Sequence, residues 1–151
     1  MKRLFLTAAF FGFSFTAYAA EPDDLLAAAA TEAEITIMEV MVETITPASD
    51  TLWGVDDPQS DADWQLLDDA AKSIIEVFEK IRNGGGGPND AAWASEAKFQ
   101  AYIDEEITAG EAARAAIAAQ DLDALFAAGD SLYSPCENCH IDYNPGVAGE
   151  Q

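Results

Sequence analysis

The chain has 151 residues, half of them hydrophobic, and sets 28 Asp and Glu against seven Lys and Arg, a net charge of −21 with its one histidine neutral. Phosphate contacts need clustered Lys and Arg, so this balance excludes nucleic acid as a partner and disfavours an anionic membrane surface. The length suits one domain with a real core.

The N-terminus carries the marks of a secretory signal peptide over residues 1–20. Lys2 and Arg3 precede an apolar run from Leu4 to Phe15, and Ala17-Tyr18-Ala19 fits the small-x-small pattern of a cleavage site. The run is shorter than the roughly 20 residues that span a bilayer, which weakens the rival readings of an anchor or a buried strand. Cleavage near Ala19 or Ala20 would leave a domain over residues 21–151, with five basic residues against 28 acidic ones and a charge of −23. No later segment is apolar enough to anchor it in a membrane. Most of that charge is a solvated surface; its functional reading is electrostatic steering toward a basic partner protein.

Four helical segments are predicted after the signal. The first runs from about Asp24 to Thr46, with Pro22, Asp23 and Asp24 as start signals and Pro47 as its end or kink. Ile35, Met38, Val42 and Ile45 recur at spacings that place them on one face. The second starts at Ser60 or Asp61 and ends near Arg82, with Trp64, Leu67, Ala71, Ile74, Phe78 and Ile81 forming a bundle seam. Gly84 to Gly87 stop it; with no GK[ST] following, the run is a helix connection and not a phosphate loop. The third helix is expected from about Ala91 to Gln120, alanine-rich, with Ile103, Ile107, Gly110 and Ile117 on one side. The fourth begins near Asp121 or Asp123 and ends before Asn144-Pro145-Gly146. It carries Leu122, Leu125, Gly129, Leu132, Cys136 and Cys139 in steps of three and four, so both cysteines share the seam and Gly129 clears space before them. Nothing resembles a strand. The expected fold is all-α, an antiparallel four-helix bundle.

Both cysteines and the only histidine fall within SPCENCHIDY. Cys136-x-x-Cys139-His140 is the attachment signal of c-type haem: residues three apart share a helical face, so two thiols can bond two vinyl groups of one porphyrin while the adjacent imidazole reaches the iron. Such attachment takes place outside the cytoplasm, in agreement with the signal peptide. A structural disulfide, a thioredoxin-like pair and a zinc site were weighed against it. The second lacks its β–α–β setting, and the third lacks further ligands. Trp53, Trp64 and Trp93 are expected to pack in the core or at a haem edge. No catalytic residue is expected, since there is no second histidine and the carboxylates are too numerous to single out a pair.

A helical chain with CENCHIDY near its C-terminus resembles the cytochrome c-prime family, the class II cytochromes c, whose ending is CxxCHxxY; Tyr143 fits as well as Cys136, Cys139 and His140. The resemblance implies one covalent haem c with His140 as proximal ligand and the first helix covering the opposite face. Five-coordinate members have an apolar residue there. Low-spin members have a methionine, in an MxxM pattern with a proline nine residues after the first Met. MEVM at Met38 to Met41, with Pro47 nine residues beyond Met38, makes Met38 the matching ligand, with Met41 one turn later; the alternative is that both methionines fill the core. Two positions depart from the family pattern: Glu34 where an arginine often meets a haem propionate, and Asn144 where a basic residue commonly follows the tyrosine. Arg82, Arg114, Lys72 and Lys80 are candidates to compensate the propionates. The resemblance further implies a periplasmic protein and a homodimer through the first two helices. Its function is expected to be one-electron transfer to a redox partner protein with His140 and Met38 on the iron. The alternatives are a five-coordinate module binding nitric oxide or carbon monoxide and, more remotely, a thiol–disulfide protein.

Overall fold

The computed structural model describes residues 35–144, all within one compact unit, Glu32–Gln151. The expected signal peptide, Glu34 and the expected helix start near Asp24 lie outside the described residues. Every regular element among the described residues is helical, and none of these helices is long and apolar enough to cross a membrane.

Helix α1, Ile37–Val40, opens on a capping box. The Thr36 hydroxyl accepts the Glu39 amide, and the Glu39 carboxylate accepts the Thr36 amide. A π-helical turn, Met41–Ile45, joins it directly to α2, Thr46–Trp53. The helical path therefore does not end at Pro47; the proline instead follows a local switch of hydrogen bonding. The Thr46 amide and hydroxyl both reach back to the Met41 carbonyl, and Pro47 falls in the first turn of α2, where a missing amide costs little.

The face expected to carry Ile35, Met38, Val42 and Ile45 is divided between core and cavity. Ile37, Val40, Ile45, Ala48 and Leu52 enter the core, whereas Met38 is 67% and Val42 66% exposed. The wide turn adds a residue between the two α-helical stretches, so a single helical period cannot run through both.

Helix α3, Asp61–Ile81, is capped by Ser60 and buries Leu67, Ala71, Ile74, Phe78 and Ile81, the expected seam. The expected third helix is two elements, α4 (Asp90–Ala94) and α5 (Ala97–Ala119), separated where Glu96 turns to extended backbone. Helix α6, Leu122–Tyr143, starts on the Asp121 cap and ends at Asn144. Helix α5 packs along both α3 and α6, and α2 lies against α3.

The glycine run between α3 and α4 also grips the start of α1. Gly84 takes φ +92°, the Gly86 amide donates to the Ile35 carbonyl, and buried Asp90 accepts the amides of Ile37 and Gly87 through one oxygen, each at 2.9 Å. Nothing in the local sequence signalled that second role.

Candidate functional site

Cys136, Cys139 and His140 stand on the last turns of α6, all half-buried, and both cysteines are free thiols. Their helical spacing puts the sulfurs one turn apart on one face. Burial pushes the Cys139 thiol up to about 12 and the Cys136 thiol higher still, with the nearby Glu106 charge adding to both. Thiol–disulfide exchange runs on the thiolate, so neutral thiols in apolar surroundings suit that chemistry poorly.

The end of α6 is locked to the corner between α4 and α5. The Tyr143 hydroxyl donates to Glu96 at 2.8 Å, and its ring meets Trp93, Phe99 and Tyr102 edge-on. Asp142 accepts the Tyr102 hydroxyl and pairs with Lys98. These contacts fix the azimuth of α6, and with it the direction of the cysteines and the histidine.

All three face a cavity of about 370 Å³, within the range of small-molecule and cofactor sites. Met38 lines the same cavity, so the structure brings the four sequence-predicted residues to one place. Met41, Val42 and Ile45 contribute further apolar wall from the π turn, Phe78 and Ile81 from α3, and Ile103 from α5. Met38 and Val42, which the core leaves exposed, are thereby accounted for: they belong to the wall of this cavity.

The donor set and the lining fit a covalently held porphyrin. Two free thiols share a face, an imidazole follows them, and a thioether sulfur lines the same largely apolar space. His140 and Met38 both line it and are the residues that would hold an iron there. Among the described residues, no group of three or more His, Cys, Asp or Glu side chains converges to bind a metal ion directly.

Other expectations resolve differently. Trp93 lines the cavity, and Trp64 packs half-buried against the core. Trp53 is 47% exposed, and its indole donates to the Gly129 carbonyl. A Cβ on Gly129 would meet that ring at 3.3 Å, so the space that Gly129 clears belongs to Trp53 and not to the cavity. Arg82 is held by Glu79 and Asp104, Arg114 by Asp68, and Lys72 by Glu76. Those three propionate candidates and Lys80 are all absent from the cavity lining.

Sequence reasoning missed Glu106. It is 2% exposed and lines the cavity, yet neither carboxylate oxygen meets a hydrogen-bond donor in bonding geometry. Burial pushes its carboxyl up to about 7; the neighbouring Cys136 thiol offsets this in part, and Glu105 adds to it. A signal existed. Phe99, Ile103, Glu106, Gly110, Ala113 and Ile117 step by four and three without a break, and Glu106 occupies a core place in that series.

An all-helical chain whose two thiols and imidazole share one apolar cavity defines a haem-attaching helical protein. The chain belongs to the cytochrome C' family, whose model matches residues 29–144, and it is a c-type haem cytochrome. No curated protein and no solved structure matches it.

Proposed function

We propose that the protein is an exported monohaem cytochrome that passes single electrons, cleaved near Ala19 or Ala20 and working in the periplasm. Its helices are read as an antiparallel four-helix bundle. One haem c is joined through thioethers to Cys136 and Cys139, with His140 and Met38 as axial ligands. The observation that carries this reading is the convergence of those four side chains on one cavity. When bound, haem c supplies a one-electron iron couple, and a sulfur ligand opposite imidazole raises its potential. The chain's part is to fix the ligands and keep water from the ring: α6 is pinned through Tyr143, and the apolar side chains of α1 and the π turn cover the cavity. The strong negative charge suits docking to a basic redox partner.

A second reading has support of its own. Met38 is 67% exposed at the cavity wall, and Val42 and Ile45 beside it are apolar. Were Met38 to stay off the iron, those residues would leave the sixth position open to carbon monoxide or nitric oxide, in line with the chain's family.

Optical spectra of the holoprotein separate the two. Electron transfer through His140 and Met38 predicts a low-spin spectrum, a far-red sulfur-to-iron charge-transfer band when oxidised, and indifference to carbon monoxide. Met38→Ala should abolish that band and open the iron to carbon monoxide. A wild-type protein that is high-spin and shifts with carbon monoxide establishes the gas-binding reading instead.

A further inference from the structure

Glu106 is a buried titratable group of the cavity that haem attachment does not use. It sits at the cavity beside Cys136, the residue that would carry one thioether, so its carboxylate would stand close to a haem joined there. A carboxylate buried without partners is costly when ionised, and uncharged residues of similar volume fill such positions more cheaply.

Among the described residues, no Lys or Arg lines the cavity to relieve it. The titratable groups that line the same cavity are the thiols of Cys136 and Cys139, the His140 imidazole and the phenols of Tyr102 and Tyr143, and Glu105 adds repulsion. Helices α1 and α3 and the π turn present apolar side chains, α2 presents Thr46, and α4 presents Trp93. Arg82, Arg114 and Lys98 are engaged by acids elsewhere.

We infer that Glu106 is a proton-binding residue coupled to the redox state of the haem, taking up one proton when the cofactor is reduced and releasing it on oxidation. The inference rests on the haem reading above. On reduction, one electron arrives from the partner protein and one proton from solvent; the carboxylate becomes the acid, and an O–H bond is the only bond formed. The physical basis is charge compensation. The oxidised iron carries one more positive charge and favours the carboxylate, whereas reduction removes that charge and favours the neutral acid in a poorly solvated place. Burial has already brought the group's titration close to neutral pH, where both forms are accessible.

The test is the reduction potential of the holoprotein from pH 5 to pH 9, for the wild type, Glu106→Gln and the exposed control Glu111→Gln. Wild type and control should show the reduction equilibrium changing up to tenfold per pH unit around neutrality, about 59 mV for a one-electron couple. Glu106→Gln should be flat over that interval and poised higher at its alkaline end. A second readout is the redox-difference infrared spectrum, in which a protonated-carboxyl band should appear on reduction and vanish in Glu106→Gln. If Glu106→Gln does not fold, Glu106→Asp should keep the slope and move its midpoint by at least about half a pH unit. A wild-type potential independent of pH, a slope that survives Glu106→Gln, or a midpoint unmoved in Glu106→Asp overturns the inference while leaving the haem reading intact. A colourless protein from a host competent in cytochrome maturation overturns both.

Discussion

Asp90 shows how much one carboxylate can hold. It is 3% exposed, and a single oxygen accepts the amides of Ile37 and Gly87, tying α1 to the loop after α3. Two of the loop glycines are needed there: a Cβ on Gly85 or Gly87 would come within 2.6 Å of an Asp90 oxygen. Asp90→Ala would leave both amides without an acceptor, at about 1–3 kcal/mol for the buried Ile37 amide and less for the part-buried Gly87 amide, so a loss of roughly 2–4 kcal/mol is expected in urea unfolding. Because the link ends on the residue before Met38, the sulfur-to-iron band of the oxidised holoprotein should weaken at lower urea than the helical signal. Residues of this kind are hard to see in a sequence. The motif of Cys136, Cys139 and His140 was legible because its chemistry is local to five positions. Asp90 and Glu106 were not, since an acid in a helical pattern reads as surface and only the tertiary fold encloses it.

The helices themselves were more legible where one period governs a whole element. Helices α3 and α6 each keep a single apolar seam, and their caps, Ser60 and Asp121, stand where the sequence placed them. The first helix defeated the same reasoning. Its buried residues follow one register before Met41 and another after Ile45, and the hydrogen-bond switch between them is set by packing on both sides. Proline rules failed for the same reason, because the wide turn lets Pro47 begin a new α-helical stretch. The π turn is thus a one-residue insertion, which gives a test. Deleting the exposed Glu43 should heal the turn to α-helix while α1 and α2 keep their faces, leaving the thermal midpoint within the shift expected of a surface change, about 0.5 kcal/mol. Deleting the exposed Asp69, inside the continuous α3, would rotate everything after it by about 100° and take Ile74, Phe78 and Ile81 out of the core. Circular dichroism melts of the two deletions should differ by several kcal/mol, in line with losing several core side chains. Equal effects would mean that the turn is fixed by its own sequence.

Over the whole molecule the charge has no local counterweight. Among the described residues Lys72, Arg82, Lys98 and Arg114 each pair with an acid of this same chain, so they leave no basic patch, and the acids far outnumber them. Surface pairs of this kind add little stability, and they locally cancel the few positive charges, so the field at a distance is that of the net charge, −21 for the whole chain and −23 for the proposed processed domain. A cytochrome with this field should meet basic partners faster than diffusion of neutral bodies allows. The gain falls as salt shortens the Debye length from about 30 Å at 0.01 M to about 3 Å at 1 M. Stopped-flow mixing of the reduced protein with a basic redox protein should therefore give a bimolecular rate that drops by about tenfold or more over that range. With an acidic acceptor the rate should rise with salt, because screening then relieves repulsion. The two slopes of opposite sign matter more than either magnitude: a driving-force effect of salt on the haem potential would move both rates in one direction. If both fall, or neither changes, the acidic surface serves solubility and export, and recognition of the electron partner must lie in shorter-range contacts around the cavity mouth.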